Sequence, residues 1–301
     1  MKKLCQDRVV IITGAGGGLG RSYALAFAEQ GAKVALNDIN LEAVTNTQKV
    51  IQERGGEAGV FMADITNYQE SGKLVDDVVQ LFGTLHVVVN NAGICRDKMF
   101  ASMKEEDWDA VINVHLKGHF CITSHAVKYW RSAAKEGNPI QARIINTSSG
   151  AGLQGSVGQS NYAAAKGGIA TLTLVQAAEL GRYGITANGL APAARTGMTE
   201  DVFASMMEKP KDGSFDYYDP ANVAPLVTWL GSERSRHVTG QIFEVEGDKI
   251  SISDGWRTTP GLRKGRRWNP QELDDALGKL LEAQVPAQGV YGAQPTTSAR
   301  S

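Results

Sequence analysis

Tyr162 and Lys166 stand four residues apart in "NYAAAKGG" (161–168), a segment with helical spacing. Four residues make about one helical turn, so a phenol and an ammonium share a face. That pair suits proton transfer to or from an alcohol oxygen. Free tyrosine has a pKa near 10 and is mostly protonated at neutral pH. A nearby cation favours the phenolate. Lowering such a pKa by roughly two to three units needs about 3–4 kcal/mol, within reach of a cation in a partly dry site. Taken alone, "YAAAK" reads better as an exposed helix face, so its partners decide.

A second chemistry precedes it in the chain. "TGAGGGLG" (13–20) follows an apolar run and opens a helical segment. Glycines at 14, 18 and 20 permit positive φ and let a pyrophosphate approach the backbone. The helix that follows supplies unpaired N–H groups and a favourable dipole. Asp38 closes the next apolar run. Its carboxylate accepts both hydroxyls of an adenosine ribose and repels a 2′-phosphate, which favours NAD over NADP. The bland alternative for Asp38 is a cap for the helix over 40–54.

The elements that must hold these groups alternate regularly. Strand-like runs lie at 8–13, 33–38, 59–64, 85–91, 142–148, 185–191 and 240–247, nearly all apolar. Such runs are buried on both faces. Helical periodicity fills 20–30, 41–54, 67–82, 104–132, 160–182 and 220–231. The rhythm predicts an α/β doubly wound parallel sheet of about seven strands, in one domain over 1–254. An extension over 255–285 and a mobile tail over 286–301 follow. Residues 195–220, rich in Met, Phe and Tyr and broken by Pro and Gly, form a candidate lid. The stretch 255–268 carries Arg257, Arg263, Lys264, Arg266 and Arg267 between two tryptophans and holds no acidic residue. It could grip the phosphates of a CoA ester, although a basic run is more often a solvated face or a subunit strap. Asn269, Pro270 and Glu272 predict a capped helix start.

Composition narrows the class. The 301 residues are 42% hydrophobic with a formal net charge of −1. That supports a large core and points to neither nucleic acid nor an anionic membrane. No run approaches the roughly 18 apolar residues of a membrane span, and the start lacks a signal peptide's apolar stretch. Cys5, Cys95 and Cys121 are isolated and odd in number, which fits a reducing cytoplasm. His115 and His119 stand four apart, yet no glutamate completes a zinc-protease motif. They read as packing or capping residues, and no metal site is expected.

"TGAGGGLG", "NNAG" (90–93), "NVHLKG" (113–118), "SS" (148–149) and "YAAAK" (162–166), in that order, resemble the short-chain dehydrogenase/reductase family over about residues 7–250. The resemblance implies a Rossmann fold and a catalytic set of Asn113, Ser149, Tyr162 and Lys166. Ser149 is chosen over Ser148 because the family's serine lies about thirteen residues before its tyrosine. Asn113 would hold a water that links Lys166 to solvent. The resemblance also implies cofactor contacts from Gly14, Gly18, Leu19, Gly20 and Asp38. Asp64 and Ile65 would lie near the adenine, and Asn90, Ala92, Gly93, Tyr162, Lys166, Pro192 and Thr196 would follow along the pocket. Ala193 stands where the family usually has glycine.

Within the family, "GRSYALAFAEQGAKVALND" (20–38), "VAPLVTWLGSE" (223–233) and "FEVEGDKISISDGWR" (243–257) resemble one branch. It is the (3R)-hydroxyacyl-CoA dehydrogenase domain of peroxisomal multifunctional enzyme type 2, with its actinobacterial relatives. The implied activity is NAD-dependent oxidation of a 3-hydroxyacyl-CoA, fatty acyl or steroid side chain, by a homodimer or homotetramer. Alternatives are a hydroxysteroid dehydrogenase, a 3-oxoacyl reductase and a non-catalytic dinucleotide sensor.

Overall fold

A computed structural model describes residues 3–196, 207–256, 258, 260–282 and 288–289. The chain forms two compact units, Met1–Ser253 and Asp254–Ser301.

The first unit is built on one eight-stranded sheet: β1 (Val9–Thr13), β2 (Lys33–Asp38), β3 (Glu57–Met62), β4 (Val87–Asn90), β5 (Arg143–Thr147), β6 (Thr186–Ala193), β7 (Ile242–Glu246) and β8 (Lys249–Ser253). Its spatial order is β3-β2-β1-β4-β5-β6-β7-β8. Strands β1 to β7 pair in parallel, and β8 returns antiparallel on β7. The helices are α1 (Gly18–Glu29), α2 (Leu41–Glu53), α3 (Tyr68–Phe82), α4 (Glu105–Ile112), α5 (Gly118–Lys135), α6 (Gly150–Gln154), α7 (Ser160–Leu180), α8 (Ala224–Leu230) and, in the second unit, α9 (Leu273–Glu282).

Alternate side chains of each strand feed opposite cores. Val10 and Ile12 join Tyr23, Phe27, Val44 and Leu230 on one face. Val9 and Ile11 join Leu74, Val78, Ile122 and Trp130 on the other. Both layers need apolar residues, which is why these strands show no polar alternation. Local signals set the helix ends. Asn40 accepts the Ala43 N–H and Asn67 accepts the Gln69 and Glu70 N–H groups, while Gly83 ends α3 at φ +82°.

Three features differ from the sequence expectation. The sheet has eight strands rather than about seven, because Gly247 and Asp248 turn "KISIS" back onto β7. Ile250 and Ile252 stay exposed there, so the segment carries no buried apolar run to mark it as a strand. The single helix expected over 104–132 is broken by a π-helical turn at Asn113–Lys117. A short α6 also intervenes directly after β5.

In the second unit, Asn269 and Glu272 form the expected capping box, with Pro270 in the first turn. Glu272 also takes Lys264 at 2.5 Å and Arg266 at 2.7 Å. These partners hold its carboxyl down to about 2, Arg266 foremost. Two cations of the basic stretch are thus turned inward on this knot. Arg257, also part of that stretch, lies outside the described residues, as does most of the expected tail.

Candidate active site

The strand order reverses beside β1, so the loops after β1 and β4 diverge and leave a crevice at the carboxyl ends of the strands. The glycine turn leaves β1 and "NNAG" leaves β4. Thr13 and Asn91 lock the two loops together. The Thr13 hydroxyl accepts the N–H groups of Asn91 and Ala92 at 2.9 and 3.0 Å, and the Asn91 amide donates to the Thr13 carbonyl at 3.1 Å. Gly14 has φ +66°, and a Cβ there would lie 2.9 Å from the Ala92 Cα. A Cβ on Gly20 would lie 2.0 Å from the Gly14 carbonyl oxygen. These two glycines are therefore steric requirements of the turn.

Helix α1 begins with Gly17 as its N-cap and no side-chain cap. Its first N–H groups open onto a stretch bare of side chains, with nothing within 4 Å of a Cβ placed on Gly17. Leu19 packs against the adjoining core. Thr196 closes the other side, its Cγ2 3.4 Å from a Cβ placed on Gly18. Such a bare, uncapped helix start fits a pyrophosphate. At the end of β2, Asp38 accepts the Gly16 N–H at 2.8 Å and the Asn40 N–H at 3.0 Å. The cap of α2 is Asn40, so the bland role weighed for Asp38 falls to its neighbour. Two carboxylate oxygens offer about four acceptor sites, so capacity remains for ribose hydroxyls. Asp64 is exposed after β3, its Oδ1 accepting the Thr66 N–H, and Ile65 is buried against Gly118.

Tyr162 and Lys166 share one face of α7. The Lys166 Nζ lies 5.5 Å from the centre of the Tyr162 ring and donates to the Thr147 carbonyl at 2.6 Å. Lys166 is only 2% exposed. Burial pushes its pKa down to about 7, partly opposed by Cys95. The end of β5 is tied to it again by Ser148, whose hydroxyl donates to the Lys166 carbonyl at 2.8 Å. Ser149 is used differently. It caps α6, its oxygen accepting the Ala151 N–H at 3.2 Å, which leaves its own proton to donate. Asn161, buried at the head of α7, donates to the carbonyls of Arg96 and Asp107 and accepts the Tyr162 N–H at 2.8 Å. It pins the base of the tyrosine to the loop after β4 and to α4.

Asn113 is exposed at the start of the π-helical turn, as a residue that holds a water linked to solvent must be. His115 is wholly buried, with its ring centre 5.2 Å from that of Tyr162 at 89°. Val111, His115, His119, Ile122 and Ala126 form one buried stripe at helical intervals, and Asn113 lies off it. Asn90 is fully buried, and its amide donates to Thr123 at 2.8 Å and Asn146 at 2.9 Å, a network that continues to Thr173 and Gln176. Ala92 and Gly93 remain at the crevice, half-buried. Thr13, Asn91, Asn161 and His115 are not among the site residues expected from the sequence, although each lies inside one of the quoted motifs.

Pro192 and Ala193 end β6, and Ala193 pairs with Glu246 of β7. Of the candidate lid, residues 197–206 lie outside the described residues. The rest is pinned at its base. Arg195 forms an ion pair with Asp216 and donates to the Met207 carbonyl at 2.7 Å. The Tyr217 ring packs against Gly247, 2.4 Å from where a Cβ would stand. Among the described residues no three His, Cys, Asp or Glu side chains are grouped to hold a metal ion, and no helix is long and apolar enough to cross a membrane.

Comparison with known proteins matches residues 8–206 to the short chain dehydrogenase family. The hydroxyacyl-CoA dehydrogenase ChsB1 of Mycobacterium tuberculosis is 41% identical over 93% of this chain and 90% of its own. Peroxisomal multifunctional enzyme type 2 of Mus musculus is 42% identical over 91% of this chain, which spans 37% of that longer protein. A solved short chain dehydrogenase from Mycobacterium avium superposes with a TM-score of 0.88 at 50% identity, covering 96% of this chain and all of the other.

Proposed function

Because the chain belongs to the short-chain dehydrogenase family, and is thus an oxidoreductase, we propose that it uses NAD to interconvert a (3R)-3-hydroxyacyl-CoA and the 3-oxoacyl-CoA. The observation that carries the chemistry is the buried Lys166 against the Tyr162 ring, in a chain that also builds a glycine turn and bare helix start suited to a dinucleotide. The substrate class rests on likeness to two relatives, one a hydroxyacyl-CoA dehydrogenase, the other a peroxisomal multifunctional enzyme. NAD, when bound, takes up or returns the hydride.

The residues of this chain do the rest. The α1 amino terminus and its glycines hold the pyrophosphate, and Asp38 holds the adenosine ribose. Tyr162 takes the hydroxyl proton as the carbonyl forms. Lys166, charged, favours the phenolate. Ser149 donates to the reacting oxygen and steadies the charge that develops there. A homodimer or homotetramer in the cytoplasm is part of the same reading.

Appearance of the reduced-nicotinamide absorbance tests it. The intact protein is assayed with 3-hydroxyacyl-CoA esters of graded chain length and with steroid alcohols, each with NAD and with NADP. Turnover should favour the CoA esters and NAD, and Asp38→Ala should weaken NAD and admit NADP. Preference of the intact protein for NADP would sink the cofactor assignment, and preference for free steroids would sink the substrate. A 3-oxoacyl reductase remains the second reading, since a 3-oxoacyl-[acyl-carrier-protein] reductase from Thermotoga maritima is 37% identical over 81% of the chain.

A further inference from the structure

We propose that His115 is a positioning residue for the reaction: its imidazole clamps the Tyr162 phenol and the loop after β4 to each other. This rests on Tyr162 being the base. The ring is fully buried and touches both parts of the site. Toward α7 it meets the Tyr162 ring edge-on at 5.2 Å. Toward the loop, its Nε2 lies 2.8 Å from the Ile94 carbonyl oxygen and 3.1 Å from the Ile94 nitrogen. It also occupies the space above Gly93, where a Cβ would lie 2.1 Å from its Cε1. Gly93 lacks a side chain at the one point where this ring passes.

His115 lies within the π-helical turn Asn113–Lys117, on the buried stripe that runs from Val111 through His119 to Ala126. A buried histidine is most often ordinary core, and His119 supplies that comparison: it is equally buried one turn along. His115 differs in touching the ring that does the chemistry.

The charged surroundings make the clamp constant. Burial, then Lys166, push the His115 pKa down to about 3. His119 is lowered further by burial, Lys166 and His115, and the Cys95 thiol is raised to about 11, chiefly by burial. These three keep their neutral forms across working pH. Lys166, at about 7, is the neighbour that titrates there. The hydrogen bond to Ile94 thus does not switch with pH, and the imidazole is a fixed wall that dries the Tyr162–Lys166 contact.

The test compares His115→Ala, His115→Phe, His115→Gln and His119→Ala with the intact protein, each checked for fold by circular dichroism and thermal midpoint. One readout needs no substrate: ultraviolet titration of the phenol that Tyr162→Phe removes. The other is kcat against KM for the cofactor, with its pH profile. His115→Ala should move the phenol's midpoint by at least about half a pH unit, because the ring packed edge-on against Tyr162 is replaced by water. It should lower kcat by about tenfold or more with cofactor KM within about threefold. His115→Phe, which keeps an aromatic ring at Tyr162, should recover more than His115→Gln. His119→Ala should shift the thermal midpoint alone. The clamp is overturned if His115→Ala leaves the phenol titration unchanged, or loses kcat only in step with cofactor affinity and thermal midpoint. Were the intact protein to turn over no alcohol, the function reading would fail while the titration still decided the clamp.

Discussion

Lys166 carries the strongest electrostatic constraint at the site. An ammonium that is 2% exposed sheds its proton early, at about 7 against an ordinary 10.5. The penalty of burying the charged form is absent above about 10.5 and complete below about 7. Between those values the unfolded chain binds more protons than the folded one, so stability rises with pH, by up to about 1.4 kcal/mol per unit. Lys166→Met should flatten that slope in denaturant titrations of the cofactor-free protein. An unchanged slope would mean that water reaches the lysine. Its partner is tested by turnover. Tyr162→Phe removes only the hydroxyl, so kcat should drop at least about 100-fold while cofactor affinity holds within about threefold. Near-normal turnover would require another base.

At the scale of elements, the site depends on close approaches between loops. Gly20 of α1 abuts the Gly14 carbonyl, and Gly93 abuts His115. Gly20→Ala brings a methyl to 2.0 Å from a backbone oxygen that cannot retreat without moving the turn. Isothermal calorimetry should show cofactor affinity down by tenfold or more, about 1.4 kcal/mol. Gly93→Ala presses instead on a ring and should tilt His115, lowering kcat more than cofactor affinity; losing affinity alone would show that the loop had moved and the ring had not. The cradle around Gly14, Gly18 and Gly20 was legible in the sequence because its requirements are local: a strand, a turn with positive φ, a helix start. The π-helical turn was not. It adds a residue to one turn of a helix whose periodicity reads as continuous on both sides.

Across the whole chain, the basic stretch shows how a residue further along changes what a run of charge has free to do. Five cations without an acidic residue suggested a phosphate grip. Glu272, from the helix start that follows, takes two of them. Arg263 and Arg267, both exposed, are left as candidates for the CoA phosphates. Replacing both by alanine should raise KM for a CoA thioester, most at low salt, and hardly affect a short thioester lacking CoA. Equal effects on both substrates would assign the stretch to structure. Glu272→Gln weakens the knot, and limited proteolysis should then cut faster between 264 and 272. An unchanged cutting rate would show that the capping box alone holds the segment.

The sequence by itself determined the alternating elements, the two-sided burial of the parallel strands and the glycine cradle. Each follows from residue type and spacing over a few turns of chain. It also determined that Tyr162 and Lys166 share a helix face, which is geometry within one element. Tertiary structure alone decided what those residues meet. The lysine's loss of basicity comes from burial, and the burial of Asn90 from a polar network spanning β4, β5, α5 and α7. Desolvation and packing between segments far apart in the chain leave no mark on the spacing of any one segment, so only the folded molecule settles them.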